Sequence, residues 1–401
     1  MRDLKILHIQ DTCTGCGACV SVCPKQCLTM VEDTDGFYYP YQVTDSCVEC
    51  HLCEKACHII TQANNLSEVS NDTYIFWQKD EHVRQMSSSG GAFSLFAQYV
   101  IDNGGIVFGS RYNSERERLE VTSSDDCGLA PLRKSKYVES YVGDSFREIA
   151  QQLKANRMVL YCGTPCQAAG LRQYLSLRKI SDKKLLLIDF ACHGVPTNKL
   201  FTAFKRTLED SKSKVTAVDF RYKALNDKND NWHSATMKVD YKSGNKKIIY
   251  TNSSFYFGYY YFFYCSICLR LSCYNCHQVD HSEADVTIGD FWDIYKYKKE
   301  LDDNKGISFL KFNNPKWVGL FKDLASTHFV EKLPNGVLTD PYNKRNKLRL
   351  LAEREKFLGL MRKFGYKKAK RKYYGVKGYV KYYIIFSLKA LIRRLILKIE
   401  L

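Results

Sequence analysis

The sequence predicts three parts in order: a small α+β module built on a repeated cysteine motif, an α/β domain with a mixed, partly parallel sheet, and a basic helical C-terminal tail. Three observations predict it. Two cysteine octets of identical spacing open the chain. Behind them, short apolar runs alternate with helical periodicity, and each run ends in a loop marked by cysteine, glycine or proline. Past residue 340 the composition turns strongly basic. With 401 residues, 45% of them hydrophobic and 26% charged, the chain is globular and long enough for two or three domains. The expected divisions are 1–66, 67–150, 151–340 and 341–401.

The first octet is Cys13-x2-Cys16-x2-Cys19-x3-Cys23, followed by Pro24. The second is Cys47-x2-Cys50-x2-Cys53-x3-Cys57, followed by His58. Three cysteines at every third position wrap one corner of an iron–sulfur cube, with Gly15 and Gly17 easing the backbone. In this spacing the fourth cysteine of each run ligates the other cluster. One [4Fe–4S] cluster therefore takes Cys13, Cys16, Cys19 and Cys57, and the second takes Cys47, Cys50, Cys53 and Cys23. This is an α+β ferredoxin-like dicluster module. Zinc takes paired cysteines separated by longer spacers and fits the pattern poorly. Cys27 lies outside both sets and reads as a small buried residue. His51 and His58 read as packing or tuning residues, not ligands. Two such clusters relay single electrons, so the body must supply a docking face or a cofactor that takes electrons singly.

Residues 64–72 read as a polar linker. After it, Ile106–Phe108, Met158–Tyr161, Leu185–Phe190 and Val286–Ile288 read as buried strands. Between the second and third, Gln167–Leu177 places Ala168, Leu171 and Leu175 on one helical face. That is a strand–helix–strand unit with parallel strands. The strands run into Cys162-Gly163-Thr164-Pro165-Cys166-Gln167, into Ala191-Cys192-His193-Gly194-Val195-Pro196, and into Gly289-Asp290-Phe291-Trp292. Ligands gather at the carboxyl ends of parallel strands, so Cys166 and Cys192 belong to one edge.

Cys265-x2-Cys268 and Cys273-x2-Cys276 follow the aromatic run 255–264. Two groupings are open. Those four hold a cluster alone, or Cys273 and Cys276 join Cys166 and Cys192. Ser87-Ser88-Ser89-Gly90-Gly91-Ala92-Phe93 precedes a helical stretch to about Ile101. Its glycines let backbone N–H groups close around an anion such as a nucleotide pyrophosphate; a serine-capped helix is the plainer alternative. Lys134 and Lys136 supply cations for the same phosphates. Asp290 suits a cofactor ribose or the next turn. His193 is the candidate proton donor to a reduced cofactor or substrate.

Charge divides unevenly. Residues 341–401 hold 19 Lys+Arg and three Glu, a net of +16, while the rest of the chain nets +1. Such a tail suits an anionic membrane surface, nucleic acid or an acidic partner; the membrane surface is the preferred expectation and no nucleic acid is expected. From Lys377 onward, Val380, Ile384, Leu388, Leu391 and Leu395 recur every three or four residues among lysines and arginines, as in an interfacial helix or one packed on the body or on a partner. No run of 18 uncharged apolar residues occurs, and MRDLKILHIQ lacks a secretory core. The expectation is a cytoplasmic protein, peripheral on the inner face of the membrane. Its 17 cysteines then serve metal or redox chemistry.

Ser89-Gly90-Gly91, Lys134-Ser135-Lys136-Tyr137, Gly163-Thr164-Pro165-Cys166-Gln167, Cys192-His193-Gly194, Cys273-x2-Cys276 and Gly289-Asp290-Phe291-Trp292 stand in this order. The ordered set resembles the family of beta subunits of coenzyme F420 hydrogenases and dehydrogenases, in particular its shorter bacterial members with a fused double-cluster ferredoxin. The resemblance runs over residues 5–330. It implies an iron–sulfur flavoprotein oxidoreductase. Ser89, Gly90, Gly91 and Lys136 would touch FAD, and Cys166, Cys192, Cys273 and Cys276 would hold a third cluster. A redox partner protein or reduced ferredoxin would donate electrons. A small-molecule acceptor, in some members the deazaflavin, would take them. Short bacterial members are associated with surface-polysaccharide synthesis. Two departures stand out: His58 replaces the usual proline, and Cys265 and Cys268 are additional. The rival readings are a non-catalytic electron-transfer adaptor and a scaffold with vestigial centres.

Overall fold

The computed structural model describes residues 4–62, 72–210, 213–223, 232–233, 236–250, 258–279, 281–338 and 348–399. Most of the expected linker, 63–71, lies outside them.

The first octet loop turns through Gly15 and Gly17 at φ +71° and +76°, then enters α1 (Ala18–Val22). Strands β1 (Leu28–Glu32) and β2 (Tyr38–Gln42) pair antiparallel, Leu28 opposite Gln42. Their turn is closed by Asp33, whose carboxylate accepts from the N–H groups of Asp35, Gly36 and Phe37 at 2.7–2.9 Å. The second octet leads into α2 (Leu52–Lys55) and α3 (His58–Thr61).

The body is one nine-stranded sheet. In chain order its strands are β3 (Thr73–Trp77), β4 (Ile106–Asn113), β5 (Arg118–Ser123), β6 (Ser140–Tyr141), β7 (Val159–Gly163), β8 (Leu185–Phe190), β12 (Val286–Asp290), β13 (Ser308–Phe312) and β14 (Phe329–Lys332). The order across it is β14-β3-β13-β12-β8-β7-β4-β5-β6. Its centre, β12-β8-β7-β4, is parallel throughout. These are the four strands legible as apolar runs, because a central parallel strand is buried on both faces. Beyond them β13, β3 and β14 run antiparallel on one side, as does β5 against β4 on the other. Residues on both sides of position 150 thus share a single sheet. A separate three-stranded sheet joins β9 (Val215–Asp219), β10 (Met237–Tyr241) and β11 (Lys246–Ile249).

One face of the large sheet buries α4 (Ala92–Asp102) through Phe96 and Val100, together with Phe321. The other buries α5 (Ser145–Lys154) and α6 (Pro165–Leu177), with Ala168, Leu171 and Leu175 all inward as their spacing predicts. The N-terminal module rests on this second face. An added Cβ on Gly170 of α6 would stand 2.8 Å from the Cys16 sulfur, so only glycine lets the cluster loop lie this close.

Residues Leu351–Ile399 are helical, but Gly365 and Gly375 take φ +70° and +65° and break the run. The part before Gly375 belongs to the core. Phe357 stacks on Phe262 of α7 (Tyr259–Tyr264), centroids 3.9 Å apart, and Tyr366 and Ala369 are buried beside them. The side chains of the later amphipathic stretch lie outside the described residues. Among the described residues no helix is long and apolar enough to cross a membrane.

Candidate functional site

Among the described residues no three His, Cys, Asp or Glu side chains are drawn around one ion-sized point. What gathers instead are sets of thiols that sense one another's charge. Burial pushes the Cys16 thiol up to about 12, with Cys57 and Cys13 adding to it. Cys19 is raised by burial, then by Cys16, Cys13 and Cys57. So Cys13, Cys16, Cys19 and Cys57 face one space. Burial raises Cys53 to about 11, and Cys23 and Cys50 contribute. Cys23, Cys47, Cys50 and Cys53 line a second small cavity of about 20 Å³. A cluster's iron offsets such penalties, since metal binding draws protons off thiols.

Contacts of the buried Arg270 and His58 help to join the module to the body. Arg270 is fully buried and pairs with Glu139. It also donates to the carbonyls of Cys13 (3.1 Å) and Tyr38 (2.7 Å). His58 is buried, held neutral by burial and by His277 at a pKa of about 4. Its two ring nitrogens meet the Thr14 hydroxyl at 3.2 Å and the Gln278 amide at 3.3 Å. The residue standing where proline is usual is therefore a bridge to the body.

The third set assembles at the sheet edge. The motif around Cys166 is a helix start: Thr164 caps α6, Pro165 takes its first position, and Gln167 closes a reciprocal capping box. This holds Cys166 above the end of β7. The Cys192 loop leaves the end of β8 and is tied to the Cys273 loop by the Pro196–Leu269 bridge and by Arg270 N–H to Val195 at 3.0 Å. Gly194, at φ +120°, permits the approach; a Cβ there would stand 3.2 Å from that of Cys273. Cys166 is raised by burial, then by Cys276, Cys192 and Cys273. Cys268 sits elsewhere, fully buried in the aromatic core, with Cys265 half-buried beside it. The buried Tyr161 hydroxyl has no partner among the described residues and feels the charge of Cys162, Cys166 and Cys16. It is a spare donor near the thiol sets, and cluster sulfurs accept such bonds.

Next to this set opens a cavity of about 940 Å³, whose wall carries Ser89, Gly91, Lys134, Lys136, Cys192, His193 and Asp290. That volume is at the top of the range for small-molecule sites. Gly91 takes φ +96° and starts α4 with no side-chain cap, so the helix N-terminus meets the cavity bare. The buried Ser89 hydroxyl beside it has no partner among the described residues. A bare eleven-residue helix end with an orphaned hydroxyl fits a pyrophosphate.

Several expected residues act differently. Gly90 does not line the cavity: a Cβ there would meet the Phe76 carbonyl at 2.1 Å, and its N–H donates to Ser308. Its role is close packing against β3 and β13. Lys134 is spent on Asp219 at 2.6 Å. Lys136 donates to the carbonyls of Arg133 and Lys134, and burial lowers it to about 8. Asp290 pairs with Arg221 at 3.3 Å. His193 holds Nε2 at 3.1 Å from the Phe263 carbonyl and 2.9 Å from the Ser266 hydroxyl, so that nitrogen is engaged in packing α7. Arg221 and Lys223 are not among the residues the sequence singles out. Arg221 lines the cavity under Trp292, and Lys223 donates to the carbonyls of Arg84, Ser89 and Lys305. Only the fold brings them to the serine–glycine loop; a lone basic residue in a polar stretch carries no signal.

Fold and site together define an iron–sulfur electron-transfer protein, a dicluster module seated on an α/β body with a large cofactor-sized cavity. Comparison with known proteins makes this specific. Residues 12–59 match the 4Fe-4S dicluster domain family. Residues 156–334 match the family described as the C terminus of the beta subunit of coenzyme F420 hydrogenase/dehydrogenase. The chain therefore carries the C-terminal domain of that family of beta subunits behind an N-terminal dicluster domain. It is 25% identical over 206 residues to the F subunit of F(420)H(2) dehydrogenase from Methanosarcina mazei, covering 47% of this chain and 57% of that one. The chain thus spans little more than half of this relative. An uncharacterized ferredoxin of Methanocaldococcus jannaschii is 39% identical over 54 residues, 14% of this chain and 69% of the ferredoxin. A chain of the F420-reducing [NiFe] hydrogenase complex from Methanosarcina barkeri aligns over 78% of this chain and 95% of its own. That alignment has 14% identity and a TM-score of 0.38.

Proposed function

We propose that the protein is an iron–sulfur flavoprotein oxidoreductase. Electrons enter the module from a redox partner protein or reduced ferredoxin, pass to a third [4Fe–4S] cluster in the body, and leave through FAD to a two-electron acceptor. The observation that carries this reading is the adjacency of sites. Cys192, of the third thiol set, is itself part of the wall of the cavity that Ser89 and the bare start of α4 also line. When bound, a flavin converts between one-electron carriers and a hydride acceptor.

The chain's own residues supply position and charge. Cys166, Cys192, Cys273 and Cys276 hold the third cluster. Cys16 abuts Gly170, one helical turn or about 5.4 Å along α6 from Cys166, so the first and third clusters are neighbours. The second cluster lies beyond the first, on the outside of the module. The N-terminus of α4 and the Ser89 hydroxyl receive the pyrophosphate. Lys136 and the Asp290-paired Arg221 add positive charge around it. His193, on the cavity wall, is the candidate proton donor to the bound acceptor.

A role in surface-polysaccharide assembly, and contact with an anionic membrane through 341–401, belong to the same reading. The first rests on the family resemblance and the second on the tail's charge.

The test is anaerobic quantitation of iron and flavin with a visible spectrum. About twelve iron atoms and one FAD per chain are expected. Ser89→Ala should weaken FAD binding about tenfold or more, the worth of one bond to a charged group, and leave iron unchanged. No flavin after anaerobic reconstitution would favour the non-catalytic adaptor.

A further inference from the structure

The duplicated octets differ in one respect that the relay does not need. Four residues past Cys57 stands Thr61, whose hydroxyl donates to the Cys57 carbonyl at 3.0 Å. Four residues past Cys23, at the equivalent place, stands Cys27. Gln26, at φ +50°, turns the chain back between them, its N–H donating to the Cys23 carbonyl at 3.3 Å. The Cys27 sulfur ends 3.4 Å from the Cys23 sulfur. Cys47 lines the same small cavity.

Cys27 is only 2% exposed, whereas Cys23 is half-open to solvent. Both line the small cavity of the second set, which therefore offers five thiols: Cys23, Cys27, Cys47, Cys50 and Cys53. A cubane takes four protein ligands. Packing does not require the fifth, since the repeat fills the same place with threonine.

We propose that Cys27 is a reserve ligand of the second cluster, able to take the iron that Cys23 holds. This rests on the dicluster reading of the module. In the exchange the Cys23 sulfur–iron bond breaks and a Cys27 sulfur–iron bond forms. The proton of the Cys27 thiol passes to the Cys23 sulfur. No electron moves and no oxidant is consumed. At 3.4 Å the step needs side-chain rotation, not a rearranged backbone. It keeps the outermost cluster intact when its solvent-facing ligand lets go.

The experiment is iron quantitation and low-temperature EPR on the full chain, reconstituted anaerobically. The variants are Cys23→Ala, Cys27→Ala, the double variant, and Cys53→Ala as a control without a reserve. Each of the first two should keep the iron of the unaltered chain, with the EPR signal of one cluster displaced in Cys23→Ala. The double variant and Cys53→Ala should each lose about four iron atoms. If Cys23→Ala alone loses four, or the double variant loses none, Cys27 is no ligand. An unaltered chain with fewer than about eight iron atoms overturns the dicluster reading, and the reserve with it.

Discussion

In the N-terminal module all eight expected cluster ligands lie between Cys13 and Cys57, on two loops of one repeated design. In the body the four candidate ligands run from Cys166 to Cys276 and meet only because β7 and β8 are parallel neighbours and the Pro196–Leu269 bridge draws a third loop to their ends. The first arrangement is carried by local backbone turns. The second is carried by sheet register. A ligand set of the first kind should tolerate damage to the rest of the fold, and one of the second kind should not. The two are joined by the buried Arg270, whose loop precedes Cys273 and whose guanidinium bonds the carbonyl of Cys13.

The largest effect expected is therefore at that joint. Arg270→Met should cost about 3–5 kcal/mol in denaturant unfolding, because Glu139 is left buried and unpaired. Changing Glu139→Met as well should restore much of it. A single-variant cost under about 1 kcal/mol would mean the guanidinium is not what seats the module.

Next comes the body's ligand set. Cys273→Ser should remove about a third of the iron. Cys268→Ser should keep all of it while losing about 1–3 kcal/mol of stability, since its hydroxyl would sit unsatisfied among aromatic rings. The opposite pattern would assign the third cluster to the Cys265-x2-Cys268 pair.

A smaller effect separates the cavity from both cluster regions. Burial lowers Lys136 to about 8, so it is an ammonium below that pH and neutral above it. Binding an anionic cofactor favours the ammonium. FAD affinity should then hold steady below pH 8 and fall above it, by up to about tenfold per unit for one proton taken up. Lys136→Met should flatten the profile measured by flavin fluorescence. A slope that survives the substitution would belong to another group.

The smallest effect expected is on the body when the end of the tail is removed. A chain ending at Tyr374 keeps Phe357, Tyr366 and Ala369 in the core, so its unfolding midpoint should not move. The same chain loses six of the tail's 19 basic residues together with its apolar stripe, so its salt-sensitive binding to anionic vesicles, measured by co-sedimentation, should weaken. Ending at Asp340 cannot separate the two, because it strips the helix that stacks on Phe262.

Much of this is legible in residues. The octets spell out their ligands because a cubane corner needs cysteines at every third position. The four central strands read as apolar runs because they are buried on both faces. Ala168, Leu171 and Leu175 mark α6 by period alone. Strand β14 escapes such a reading because it is a half-exposed edge strand, whereas β3 and β13 are buried interior strands whose five-residue runs are shortened or broken by Thr73, Ser308 and Lys311. Gly90 and Gly91 look alike in sequence, yet one packs under Phe76 and the other opens a helix toward the cavity.

The sequence by itself determined the chemistry available: which thiols form the two octets, which loops follow parallel strands, and where basic charge collects. The tertiary structure alone decided which distant groups share a space. It brought Cys166, Cys192, Cys273 and Cys276 to one edge, set Arg221 and Lys223 by the serine–glycine loop, and turned Cys27 toward Cys23. The physical reason is range. Metal-loop spacing and strand periodicity are fixed by neighbours a few residues apart, whereas proximity between segments far apart in the chain depends on strand pairing and packing, which no local pattern encodes.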